Sequence, residues 1–179
     1  MWKALTVAAA VLSAAALVLV LATTPERTAA PVAQTETPKP AAADATRKVV
    51  WHADFRDPRR FSAMLTSINN MVTTYQNDLV EYDVRIVFVS HGIRFVTDDK
   101  LSGTPFAEDA ALAERRQELR DRLLSLHELQ GVKLELCDIT REAVRLPKEK
   151  LYPGVTTVRS GVVRIAELQD QGFAYLKME

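Results

Sequence analysis

The chain has 179 residues, room for one domain of ordinary size plus extensions, and its 23 Lys and Arg are balanced by 23 Asp and Glu. Without net charge it lacks the electrostatic footprint of a nucleic-acid binder or of a partner for an acidic surface. Its single cysteine excludes an internal disulfide, so a packed core must supply the stability.

Lys3 precedes an apolar run from Ala4 to Ala22 broken only by Thr6 and Ser13. At about 19 residues this is long for the apolar part of a signal peptide and just sufficient to span a bilayer. Two forms fit residues 1–22: a signal peptide cleaved after Ala22, or a retained single-pass membrane anchor, which the length favours. The lone cation ahead of the run keeps the amino end cytoplasmic and places the rest on the periplasmic or extracytoplasmic side, tethered to the inner membrane. Residues 23–47, rich in Ala, Pro and Thr without apolar periodicity, read as a disordered linker that holds the domain off the membrane.

The domain spans residues 48–179. Lys48 to Ala53 reads as a first strand, and Asp57-Pro58 as a helix start with a carboxylate cap and proline in the first turn. Phe61, Met64, Leu65, Ile68, Met71, Val72, Tyr75 and Leu79 recur at three and four, an amphipathic helix packed on a sheet. Val84 to Val89 is a β-branched and aromatic run typical of a strand covered on both faces, and Ser90-His91-Gly92 turns the chain. Residues 94–105 read as loop with one helical turn. From Glu108 to Gln130, Leu112, Leu119, Leu123, Leu126 and Leu129 line a long charged helix that Gly131 closes.

Val132, Leu134 and Leu136 alternate with Lys133 and Glu135, a half-buried strand that leaves Cys137 on its polar side. Asp138 or Thr140 is the expected cap of a short helix from Arg141 to Leu146, ended by Pro147. After a turn-rich connector, Val155 to Arg159 forms a fourth strand. Ser160 caps a helix through Asp170, and Phe173 to Lys177 forms a last strand. Strands alternating with helices specify an α/β architecture with a largely parallel sheet, whose sites lie at the carboxyl ends of the strands.

That rim collects His52, His91, Cys137 and Ser160. Two readings of the thiol and imidazoles follow. In one, His91 or His52 serves as base or cationic partner of a nucleophilic Cys137; in the other, His52, His91 and Cys137 ligate a metal, against which speaks the absence of short ligand pairs. A thiol ahead of a helix start favours its thiolate, while a lone cysteine is equally often an inert buried residue. His127, among leucines, reads as structural. Ser160-Gly161 opens a helix after a strand, either an anion-binding end or simply a cap. No Gly-x-Gly-x-x-Gly follows the first strand, and neither a phosphate loop nor a Gly-x-Ser-x-Gly elbow is present.

Val84 to Val89 followed by Ser90-His91-Gly92, then Gly131 to Cys137, Leu151 to Val155, Ser160 to Gln169 and Gly172 to Tyr175, resemble the DsrE/DsrF-like sulfur-relay family. The resemblance covers Lys48 to Lys177 and points to its exported branch. It implies a three-layer α/β sandwich around a mostly parallel five-stranded sheet, assembled as a trimer or hexamer. For chemistry it implies a sulfur carrier or sulfurtransferase in which Cys137 holds sulfane sulfur as a persulfide. From their places on the rim and at the helix starts, rather than from the resemblance, His91 would be the base or cationic partner, and His52, Thr140, Ser160 and Gly161 binding residues. Its partners would be sulfur donor and acceptor proteins or small sulfur compounds, with no cofactor and no nucleic acid. Where family members often carry Asn-Thr-Met, this chain has Ile139-Thr140-Arg141. Asp138 beside the thiol opposes its ionisation, and Arg141, Arg145, Lys148 and Lys150 offset that if they fold back.

Overall fold

The structure, a computed structural model, describes residues 46–179. The predicted apolar segment and the linker as far as residue 45 lie outside the described residues. Among the described residues no helix is long and apolar enough to cross a membrane.

The elements are β1 (Arg47–Ala53), α1 (Pro58–Asn77), β2 (Tyr82–Phe88), α2 (Ala110–Gln130), β3 (Lys133–Cys137), α3 (Asp138–Ala143), β4 (Val155–Val158), α4 (Gly161–Asp170) and β5 (Ala174–Lys177). The five strands form one sheet in the order β4-β3-β2-β1-β5. Every neighbouring pair is parallel, so the expected α/β fold is present with a sheet that is parallel throughout. The predicted linker ends earlier than expected: Arg47 already pairs with Tyr82 in β1.

Local chemistry accounts for the helix ends. Asp57 accepts the Arg59 N–H at 2.8 Å ahead of Pro58, and Asp109, one residue later than the predicted start, accepts that of Leu112 at 3.0 Å. Gly131 closes α2 with φ 67°, a left-handed conformation that favours glycine. The stripes of α1 and α2 cover one face of the sheet and bury Phe61, Met64, Ile68, Leu119 and Leu123 against Trp51, Ile86, Phe88 and Leu134. Phe61 stacks on Phe95 with ring centroids 4.1 Å apart.

Two residues assigned to these stripes do not belong to them. Leu79 and Leu129 are exposed, Leu79 because it lies beyond α1 in a turn with φ 55°. The helical turn expected within residues 94–105 comes earlier, as a 3-10 turn over Ser90–Phe95 that buries Arg94. On the opposite face α4 is the helix among the described residues that packs on the sheet, and among those residues Ile165 and Leu168 have Val50, Val87 and Phe173 as buried apolar partners.

Candidate functional site at the carboxyl end of β3

Cys137 is the last residue of β3 and pairs with Val158 of β4. It lies on the same face as Glu135, the face that the alternation marks as polar. That face is not solvated, since Glu135 and Cys137 are each 5% exposed. The thiol on this polar side is thus a covered one. The reason is α4, whose Arg164 donates two hydrogen bonds to Glu135 at 2.7 and 3.0 Å, while Arg85 of β2 donates a third at 2.9 Å. Burial alone would raise the Glu135 carboxyl, but the Arg164 and Arg85 guanidiniums outweigh it and hold the group below the usual carboxylate range. Arg85 also grips Asp83 at 2.7 Å, and Lys133 reaches the same carboxylate at 2.9 Å.

The first residue of α4 touches the cysteine. A Cβ at Gly161 would stand 2.5 Å from Val89 Cγ2 and 3.1 Å from Cys137 Cβ, so only glycine lets the amide end of α4 come this close. Ser160 occupies the predicted cap position, yet its side chain makes no capping hydrogen bond.

The helix after the cysteine begins earlier than expected. Cys137 itself is the cap residue of α3, without a side-chain bond, and neither Asp138 nor Thr140 has that role. Thr140 is instead buried, and its hydroxyl oxygen accepts the Ser90 N–H at 3.1 Å. Asp138 pairs with Arg141, and Lys148 comes within 3.9 Å. Arg141's hydrogen bond holds the Asp138 carboxyl below its usual range, and its positive charge offsets the anion beside the thiol. Two of the four basic residues expected to fold back therefore reach Asp138.

Beside these elements lies a cavity of about 620 Å³ lined by Ile139, Val158, Arg159, Ser160, Val163 and Arg164 among others. Ile139 stands on its wall 59% exposed.

The two rim histidines have different partners. His52 is in register with Val87, and Val87 with Glu135. His52 therefore sits two strands from Cys137, about 10 Å across the sheet and about 7 Å along it. Its Nδ1 lies 3.0 Å from the Tyr175 hydroxyl on β5, on the far side, and its Nε2 is 3.9 Å from Asp54. His91 meets Phe106 edge-on at 5.1 Å, with Nδ1 3.4 Å from Ser90 Oγ. Burial, then the Arg56 and Arg94 guanidiniums, push His91 below the ordinary imidazole value, and burial does the same to His52. Both shifts favour the neutral imidazole. His127 is tied to the Val132 carbonyl at 2.9 Å, a structural contact. Among the described residues no group of three or more His, Cys, Asp and Glu could hold a metal ion.

The sequence reading passed over Arg85, Glu135 and Arg164. One signal was available: Arg85 interrupts an otherwise apolar strand, and an arginine covered on both faces requires a carboxylate on the neighbouring strand.

Residues 47–178 match the DsrE/DsrF-like family. Among solved structures, the chain is similar to a protein of unknown function, MTH1491, from Methanobacterium thermoautotrophicum. The likeness is at 26% identity with a TM-score of 0.55, covering 73% of this chain and 98% of that one. It is also similar to the ychN protein from E. coli, at 17% identity with a TM-score of 0.46, covering 74% of this chain and 100% of that one. No curated protein matches the chain.

Proposed function

Because this chain belongs to the DsrE/DsrF-like family, we propose that it acts in sulfur relay, with Cys137 accepting sulfane sulfur as a persulfide and passing it on. The observation that carries the reading is the place of Cys137: the end of a central parallel strand, in contact with the glycine that starts α4. Carboxyl ends of parallel strands are where such sheets keep their sites. The amide end of α4 favours negative charge nearby.

In the proposed cycle the Cys137 thiolate attacks the outer sulfur of a donor RSSH. A new S–S bond forms as the donor's own S–S bond breaks, and RS⁻ leaves to take up a proton. An acceptor thiolate then attacks the outer sulfur of the Cys137 persulfide and releases the Cys137 thiolate. His91, held neutral, is suited to accept the thiol proton rather than to act as a cation. The cavity walled by Ile139 and Ser160 gives donor and acceptor their approach, with Thr140 and Gly161 shaping the surroundings of the thiol, and His52, two strands away, standing outside them. In this proposal residues 1–22 are the export segment and anchor, and the domain works outside the cytoplasm as a homo-oligomer, a trimer or hexamer.

Incubation with polysulfide or thiosulfate followed by intact-protein mass spectrometry should add one sulfur atom to the chain and none to Cys137→Ala. An unmodified Cys137 under conditions that load a control carrier would overturn the proposal. Size-exclusion with light scattering tests the assembly. One observation favours a rival: a thiol only 5% exposed also fits a structural residue in a binding module. That rival predicts alkylation of Cys137 only after unfolding.

A further inference from the structure

We propose that Thr140 is a positioning residue for Cys137, and that its bond to Ser90 locks the thiol-bearing segment against the end of β2. The inference rests on the persulfide reading above. Thr140 is the only buried side chain of α3, whereas its neighbour Ile139 is 59% exposed. Ordinary packing would reverse that order, because a hydroxyl removed from water is unfavourable unless it is hydrogen-bonded. Its bond is the one from the Ser90 N–H at 3.1 Å.

Ser90 needs such a partner. Its φ of 52° is a left-handed conformation that a non-glycine residue holds only where its surroundings enforce it. β2 has ended at Phe88, and the Val89 N–H still donates to Ala53 O at 2.9 Å. Thr140 takes the next amide.

The bond therefore joins two segments that enclose the cysteine. One is the helix that leaves directly from Cys137. The other is the end of β2, where Val89 Cγ2 faces the same Gly161 position as Cys137 Cβ. His91 follows Ser90 immediately, with its Nδ1 3.4 Å from Ser90 Oγ, so the same link sets thiol and imidazole relative to each other. Valine has the shape of threonine, and only the hydrogen bond would be lost.

The full chain, with Thr140→Val and Thr140→Ser, is to be compared in two assays: persulfide loading from polysulfide, and the pH profile of native-state alkylation of Cys137 by iodoacetamide. Thr140→Val is expected to load at least tenfold more slowly and to shift the midpoint of the alkylation profile. Thr140→Ser, which retains the acceptor, should remain within twofold of wild type with an unmoved midpoint. A merely loosened fold would instead speed alkylation of a covered thiol at every pH and leave the midpoint in place, which overturns the proposal. If wild type and Thr140→Val load alike with one profile, the positioning role is refuted while the sulfur reading stands. If neither loads but the midpoint still moves in Thr140→Val and returns in Thr140→Ser, the positioning role holds and the persulfide reading fails. Hydrogen exchange on the wild-type chain decides the matter should Thr140→Val not fold: the Ser90 amide must be protected, and fast exchange refutes the link.

Discussion

The two faces of the sheet are held by different physics. Beneath α1 and α2 the contact is apolar, with Phe61, Ile68, Ile86 and Phe88 fully buried. Beneath α4 it is a small apolar cluster, and beside that cluster one carboxylate, Glu135, is gripped by Arg85 and Arg164. The first face meets the sheet through apolar side chains, and its charged groups, such as Arg94 with Asp109, lie beyond the strands. The second keeps charged groups in a covered, low-dielectric setting, and that is where Cys137 lies. A single ten-residue helix shields it. The robust face thus fixes the scaffold and leaves the thinner one free for chemistry.

The largest effect should come from the apolar face. Phe61→Ala removes a fully buried ring stacked on Phe95 and should cost about 3–5 kcal/mol in urea unfolding. The loss should be the same at neutral and at acidic pH, since no titrating group is involved. A strongly pH-dependent loss would mean that the faces are not energetically separate.

Glu135→Ala is the counterpart on the charged face. It leaves Arg85 and Arg164, with side chains 16% and 23% exposed, without their shared acceptor, and should cost about 2–3 kcal/mol. Here pH matters. The folded carboxyl titrates below its unfolded value of about 4.3, so its contribution is complete above that value and is lost as pH falls through the folded pKa. Asp83, Asp109, Glu118 and Asp138, whose carboxyls are also held low, act in the same direction. His52 and His91, kept neutral by burial, add a shallower decline below about pH 6.5, where the unfolded chain takes up protons first. Acid unfolding of the wild type should therefore begin near neutrality and steepen near pH 4. Glu135→Ala should lose only its own share of the steep part and keep the shallow one.

The same contrast explains what was legible in the sequence. A stripe such as Phe61, Met64, Leu65 and Ile68 reports its own burial, because periodicity and packing are one signal there. That the strands run parallel follows from the alternation of elements almost as directly. Glu135 and Cys137 are different, since an alternating strand looks alike whether its polar face meets water or a helix carrying arginine. Only the placement of Arg164 across the sheet shows that the face is covered. Thr140, one of two cap candidates beside Asp138, escapes local pattern for a similar reason. Its partner is the backbone of Ser90, 50 residues away, which no local pattern reveals.

A milder perturbation tests how closely α4 must approach. Gly161→Ala places a methyl 2.5 Å from Val89 Cγ2 and 3.1 Å from Cys137 Cβ, so helix or side chain must shift. The expected cost is about 1–3 kcal/mol, with faster alkylation of Cys137 as its cover lifts. Persulfide loading should fall nonetheless if the amide end of α4 stabilises the anion. Faster alkylation combined with faster loading would show that the helix is only a lid over the thiol.

The smallest change in stability should come from Ile139→Lys, at the exposed wall of the cavity beside Cys137. A side chain 59% exposed and outside the core contributes within about 0.5 kcal/mol to folding. An apolar group left in water next to a covered thiol is nevertheless a contact point for whatever approaches that thiol. In the proposed relay Ile139, with Val163 lining the same cavity, would give an acceptor protein an apolar footing that a cation removes. Loading of Ile139→Lys from polysulfide, a small probe, should be unchanged, while delivery of sulfur to an acceptor protein should slow several-fold. Equal slowing of both steps would place Ile139 in the chemistry of Cys137 itself. No effect on either would mean that sulfur leaves the domain by another side.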